Sequence, residues 1–214
     1  MNMETANLTA NTNAPADTGR IKALIDKLEQ DRSLTRSEWT DLIRGRSPET
    51  AGYLFDRARK IRIRHYGHDV YSRGLIEFTN YCRNNCYYCG IRKSNPNAER
   101  YRLSKEEILD CCAHGYELGF RTFVLQGGED GWYTDERLAD IVASIRSRWP
   151  DCAITLSVGE RSRESYRILR EAGADRYLLR HETYDSSHYQ RLHPPALSAA
   201  HRQECLWDLK ELGY

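Results

Sequence analysis

The sequence predicts an α/β fold of parallel strands, part of an α/β barrel, and three observations carry that expectation. Strand and helix patterns alternate four times between Leu75 and Leu212, the arrangement of successive βαβ units with right-handed crossovers. The predicted helices open on capping residues or stop at Gly or Pro. Each predicted strand also runs at its carboxyl end into polar or special residues, and a barrel builds its active site on that face.

Residues 1–19, rich in Asn, Thr, Ala and Pro, lack apolar periodicity and are expected to form a disordered tail. Residues 20–70 are predicted as an N-terminal helical extension. Ile21, Leu24, Ile25 and Leu28, then Trp39, Leu42 and Ile43, then Tyr53, Leu54 and Ala58 recur at helical spacing. The core, residues 71–214, begins with a strand at Leu75–Thr79. After a long loop, Ser104-Lys-Glu-Glu107 forms a capping box for a helix with Ile108, Leu109, Cys112 and Tyr116 on one face. A second unit pairs a strand at 122–126 with a helix from about Thr134 to Trp149, stopped by Pro150. A third pairs 153–158 with a helix ending at Gly173, and the fourth pairs 176–179 with 198–212. The chain ends at Glu211-Leu-Gly-Tyr214, where a fifth strand is expected, so a partial barrel with two open edges is predicted.

Of 214 residues, 32 are Lys or Arg and 31 Asp or Glu, a formal charge of +1, with 40% hydrophobic residues and a mean hydropathy of −0.75. That balance leaves no basic excess for nucleic acid or an anionic membrane, and no apolar run approaches the ~18 residues of a spanning helix. The N-terminal residues lack the basic start and apolar middle of a secretory signal, so a cytoplasmic location is expected. In that compartment, clustered thiols serve more often as metal ligands or nucleophiles than as disulfides.

Three of the seven cysteines stand in Cys82-Arg-Asn-Asn-Cys86-Tyr-Tyr-Cys89, in the loop after the first strand. Structural zinc asks for four ligands, and no second pair or histidine lies nearby in sequence. An iron–sulfur cube held by three cysteines keeps one iron open. The cube is preferred, with zinc as the alternative. Cys111, Cys112 and Cys205 fall on helices and are expected in the core; Cys152 begins a strand at the opposite face. His193-Pro-Pro195 marks a loop, and there is no P-loop or dinucleotide fingerprint.

The Cys-x3-Cys-x2-Cys loop after a first barrel strand resembles the radical S-adenosylmethionine (SAM) superfamily. Longer runs, Glu77-Phe-Thr-Asn-Tyr-Cys-Arg-Asn-Asn-Cys-Tyr-Tyr-Cys-Gly-Ile-Arg92, Val124-Leu-Gln-Gly-Gly-Glu-Asp130, Leu156-Ser-Val-Gly-Glu160 and Ala172-Gly-Ala-Asp-Arg-Tyr-Leu-Leu-Arg-His-Glu-Thr183, resemble the HydE-type [FeFe]-hydrogenase maturases, over about residues 20–214. Biotin synthase and methylornithine synthase share the cysteine loop, and family members are longer than this chain.

The resemblance implies a [4Fe-4S] cluster on Cys82, Cys86 and Cys89, with SAM chelating the fourth iron. Reductive cleavage then gives methionine and a 5′-deoxyadenosyl radical. It also implies a role in assembling the hydrogenase di-iron centre, acting on a small sulfur-containing or iron-bound cysteine-derived substrate. An electron donor such as ferredoxin or flavodoxin and other hydrogenase maturases are the implied partners. Gly127 and Gly128 let backbone approach a ligand closely, and Glu129 suits the ammonium of SAM. Glu182 suits ribose hydroxyls or that ammonium, Arg202 offers a planar fork for the carboxylate, and Tyr88 matches an aromatic residue beside the adenine. Ser157, with Glu160, Arg180 and His181, is expected to contact the cofactor or line the cavity. A biotin synthase-like or methylornithine synthase-like enzyme is the alternative within the superfamily; a non-catalytic cluster- or zinc-binding fragment is the alternative outside catalysis.

Overall fold

The computed structural model describes residues 17–214, and the chain divides into two compact units, one ending at Val70 and the other covering Tyr71–Tyr214. The expectation of a tail over residues 1–16 lies outside the described residues. Thr18 and Gly19 are already helical, because the Asp17 side chain caps the helix by accepting from the Gly19 and Arg20 N–H groups.

The first unit holds α1 (Thr18–Asp31), α2 (Arg36–Arg44) and α3 (Pro48–Tyr66). Capping boxes start α2 (Thr35 with Glu38) and α3 (Ser47 with Thr50), and Pro48 occupies the first turn of α3, where its missing N–H costs nothing. Ile21, Leu24, Ile25, Leu34 and Leu42 form the core of this unit, with Leu28, Tyr53 and Leu54 packed against it. Trp39 and Ile43, read with Leu42 as one apolar face, are exposed within it.

The second unit is a four-stranded parallel sheet in the order β1 (Gly74–Thr79), β2 (Thr122–Gly127), β3 (Ala153–Ser157), β4 (Arg176–Tyr177). These are four of the eight strands of an α/β barrel. The helices are α4 (Lys105–Glu117), α5 (Asp135–Arg148), α6 (Arg163–Glu171), α7 (Ser186–Leu192) and α8 (Ala199–Glu211). Ser104, Thr134 and Ser162 cap α4, α5 and α6. Strand register sorts the side chains. Ile76, Leu125, Leu156 and Tyr177 lie in one row, and Ile76, Leu125 and Leu156 pack with Ile108, Leu109, Leu138, Ile141, Val142, Ile145 and Leu169 in the helix-side core. Neighbouring positions of opposite parity face the other way and carry the polar row Glu77, Gln126, Ser157.

Three expectations are corrected. The fourth strand is only two residues long, although the Leu178 N–H still reaches the Leu156 carbonyl at 2.8 Å. Helix α7, capped by Asp185, lies between the fourth strand and the last helix, where no helix was expected. Cys111 is exposed, whereas Cys112, Cys152 and Cys205 are buried; consecutive helical positions diverge by about 100°, so adjacent thiols cannot share the core side.

Leu156 is fully buried at the centre of the helix-side core. Leu156→Ala is expected to cost about 2–5 kcal/mol, and Leu118→Ala, at an exposed helix end, about 0.5 kcal/mol or less. Urea midpoints at unchanged m-value check both.

Candidate radical SAM site

The carboxyl ends of the four strands and one residue of α8 enclose a cavity of about 240 Å³. It is lined by Cys82, Cys86 and Cys89 together with Tyr88, Gly127, Gly128, Glu129, Ser157, Glu182 and Arg202. The three cysteines, Tyr88, Gly127, Gly128, Glu129, Ser157, Glu182, Arg202 and Arg180 therefore border one space. Two expected residues do not: Glu160 borders a neighbouring hollow with Arg161 and His201, and His181 faces a separate surface hollow with Tyr184 and Trp207.

The cysteine loop is held by its own backbone. The Cys89 N–H donates to the Cys86 carbonyl (3.1 Å), Arg92 N–H to Cys89 (3.3 Å), and Lys93 N–H to Asn84 (2.8 Å). Arg100 gathers the carbonyls of Asn80, Ile91 and Arg92, closing the return arm. On the return arm, Arg102 forms a bidentate pair with buried Asp130 (2.6 and 2.9 Å), which also accepts from Thr79 Oγ1 (2.8 Å) and the Trp132 N–H (3.0 Å). The guanidinium of Arg102 lies 3.8 Å from the centre of the Tyr81 ring. Burial alone would push the Asp130 carboxyl up, but the bonds from Arg102, Trp132 and Thr79 outweigh it and hold the group below the usual carboxylate range.

Gly128 needs its missing side chain for a reason other than ligand access. A Cβ there would stand 2.2 Å from the Tyr81 carbonyl oxygen and 2.8 Å from Cys82 Cβ, so the glycine admits the cysteine loop itself. Gly159 does the same for Glu129. At φ +80° it is in the left-handed region, and a Cβ would meet Glu129 Cγ at 2.0 Å. The seated Glu129 carboxylate accepts from the Glu160 N–H (3.1 Å) and from Arg83 Nε (3.1 Å), while the Arg83 N–H bonds the Glu129 carbonyl (2.9 Å).

Arg202 is buried in α8. Its Nε donates to Glu160 Oε1 (2.5 Å) and its Nη1 to the Arg180 carbonyl (2.8 Å), while Nη2 stands 3.9 Å from Glu129 Oε1, beyond hydrogen-bond reach. One edge of the fork is thus fixed and one donor is left toward the cavity. Glu182 adopts φ 61°, uncommon for a residue other than glycine, and such strain is a frequent mark of functional sites.

The donor set fits an iron–sulfur group. Burial first, then the neighbouring Cys82 and Cys89, push the Cys86 thiol up to about 11; a cationic iron centre relieves that crowding of negative charge. The cavity lining supplies no fourth thiol and no imidazole. Among the described residues no group of three or more His, Cys, Asp or Glu side chains is gathered about a single-ion position.

Sequence reasoning passed over Gly159, which seats Glu129, and His193, which contacts Tyr88. Their contacts lie between segments far apart in the chain. Glu160 was expected to contact the cofactor or line the cavity; it borders a neighbouring hollow, and its buried pair with Arg202 is a tertiary contact.

Three cysteines at the mouth of a parallel α/β layer, beside a cavity lined by carboxylates and by Arg180 and Arg202, mark an α/β protein with a cysteine-bearing site at its strand ends. Residues 76–214 match the model of the Radical SAM superfamily, and the chain belongs to that superfamily. It is 43% identical over 197 residues to the [FeFe] hydrogenase maturase subunit HydE of Thermotoga maritima, covering 92% of this chain and 55% of that protein. It is 31% identical over 169 residues to 3-methylornithine synthase of Methanosarcina acetivorans, covering 78% and 48%. The X-ray structure of the FeFe-hydrogenase maturase HydG from Carboxydothermus hydrogenoformans superposes with a TM-score of 0.76 at 27% identity, covering 92% of this chain and 46% of that one. The chain spans about half the length of the relatives it matches. Among the described residues, no helix is long and apolar enough to cross a membrane.

Two predictions follow from this geometry. Because the Asp130 carboxyl is held low, its contribution to stability is fully present above the unfolded value near 3.9 and is lost as pH falls through its folded value. Asp130→Asn should therefore lower stability by about 1–3 kcal/mol at neutral pH and flatten the loss below about pH 4; urea midpoints from pH 3 to 6 check it. Gly159→Ala should cost about 1 kcal/mol or more through the left-handed backbone alone, before the clash with Glu129, as a lowered Tm.

Proposed function

We propose that the chain uses Cys82, Cys86 and Cys89 to hold a [4Fe-4S] cluster and the rest of the cavity to bind SAM, as a HydE-like enzyme of [FeFe]-hydrogenase maturation. The observation that supports this most is the joint lining of one cavity by three thiols, three carboxylates and the Nη2 edge of Arg202. When bound and reduced, the cluster supplies one electron that cleaves SAM to methionine and a 5′-deoxyadenosyl radical.

The remaining work belongs to the chain. Glu129 offers its carboxylate to the SAM ammonium, its position set by Gly159 and the Glu160 N–H. Arg202 Nη2 takes the SAM carboxylate, with Glu160 fixing the guanidinium plane. Glu182 serves the ribose hydroxyls, Tyr88 walls the adenine side, and Ser157 closes the floor beside Gly127 and Gly128.

Kinship to a HydE subunit at 43% identity supports a small sulfur-containing or iron-bound cysteine-derived substrate. Ferredoxin or flavodoxin is the electron donor in this reading, other maturases are partners, and the reducing cytoplasm is the setting that keeps the thiols free. A second reading, a methylornithine synthase-like radical SAM enzyme, is favoured by the 31% identity to that enzyme.

The test is anaerobic loading with iron and sulfide, reduction by dithionite, and addition of SAM. The expected results are a reduced-cluster EPR signal that SAM perturbs and formation of 5′-deoxyadenosine, both abolished in Cys86→Ala. Product in Cys86→Ala would overturn the ligand assignment. Deleting the gene should abolish hydrogenase maturation if the HydE-like reading holds, and unchanged hydrogenase activity would favour the second reading.

A further inference from the structure

Tyr88 lies between two of the three thiol-bearing residues, and helix α7 grips it from behind. The Tyr87 N–H donates to the Leu192 carbonyl at 2.9 Å. One residue on, His193 meets Tyr88 with Nε2 3.3 Å from the phenol oxygen and the rings edge-on at 5.5 Å. His193 is buried, stacks on Tyr189 with ring centroids 3.9 Å apart, and places Nδ1 2.9 Å from the Tyr189 carbonyl oxygen.

Those contacts decide the direction of each hydrogen bond. A carbonyl oxygen only accepts, so Nδ1 carries the hydrogen. In the neutral ring Nε2 is then a bare acceptor, and the Tyr88 hydroxyl must donate to it. The phenol has one hydrogen, and the Glu182 carboxylate, which borders the same cavity, is a second acceptor that competes for it. A hydrogen committed to Nε2 is withheld from Glu182.

The geometry points to His193 as a positioning residue that accepts the Tyr88 hydrogen bond, fixes the Tyr88 ring as a wall of the cavity, and leaves the Glu182 carboxylate free for a ligand hydroxyl or ammonium. The identity of that ligand as SAM rests on the function proposed above; the hydrogen-bond pattern does not.

Two measurements test it. In the unloaded protein, ¹⁵N NMR of labelled histidine should show His193 protonated at Nδ1 and bare at Nε2, with the Nε2 resonance moving in Tyr88→Phe. In the cluster-loaded chain, His193→Phe keeps an aromatic ring but offers no acceptor, and it should raise the Kd for SAM about five- to thirtyfold, followed by EPR titration, with the Tm of the unloaded protein reporting folding. Tyr88→Phe removes the same hydrogen bond, so the double variant should lose no more than the larger single loss. A ring protonated at Nε2, a wild-type Kd in His193→Phe, or losses that add would overturn the proposal. If His193→Phe does not fold, the tautomer and the Kd of Tyr88→Phe decide. A wild-type chain that takes up no iron–sulfur cluster refutes the proposed function instead, and the NMR result still stands or falls by itself.

Discussion

The buried guanidinium of Arg202 is the charge on which the mouth of the sheet depends. Glu160 and Glu129 both have side chains less than a tenth exposed, and burying two carboxylates beside three thiols is costly unless a cation lies among them. The order Arg83, Glu129, Arg202, Glu160 alternates sign along the strand ends. It joins the cysteine loop, the loop after β2, the loop after β3 and helix α8. Removing Arg202 would leave Glu160 without its closest charge partner.

The same row explains how the site can accept a zwitterion without being rebuilt. Arg202 spends Nε and Nη1 on Glu160 and the Arg180 carbonyl, which fixes its plane. The 3.9 Å gap between Nη2 and Glu129 is too long for a hydrogen bond, so Nη2 faces a carboxylate that is bonded to Arg83 and the Glu160 N–H but not to it. A ligand carrying an ammonium and a carboxylate on one carbon presents the matching pair. Preorganisation of this kind lowers the ordering cost of binding.

Much of this was legible in the chain. The helix starts at Ser104 and Thr134 were readable because a cap is a local interaction, complete within a few residues. The three thiols and the Gly127-Gly128-Glu129 run were readable because spacing in one loop or turn nearly fixes spacing in space. What escaped depends on contacts between distant segments. Helix α7 is seven residues long, too short to display apolar periodicity, and is held by contacts such as that between Leu192 and Tyr87. Gly159 carries no local sign of its role, because Glu129, which a Cβ there would meet, stands thirty positions earlier. The exposure of Trp39, Ile43 and Cys111 shows the limit of periodicity, which marks a helix better than it fixes the width of the buried face.

Strand parity ties the site to the core. With a side-chain period of two, the row Ile76, Leu125, Leu156 faces the helices while the adjoining row Glu77, Gln126, Ser157 floors the cavity. A slip of one residue in any strand would exchange the two, placing carboxylate and hydroxyl in an apolar core. The β1–β2 register shifts between Glu77 and Thr79, so the last residue of β1 leaves strict alternation. Thr79 Oγ1 is thereby free to donate to Asp130 at 2.8 Å, and Asp130 in turn holds Arg102 on the return arm of the cysteine loop. That irregularity carries the pairing of the sheet into the loop that bears the three thiols, so the loop's position is set by the same hydrophobic register that folds the core.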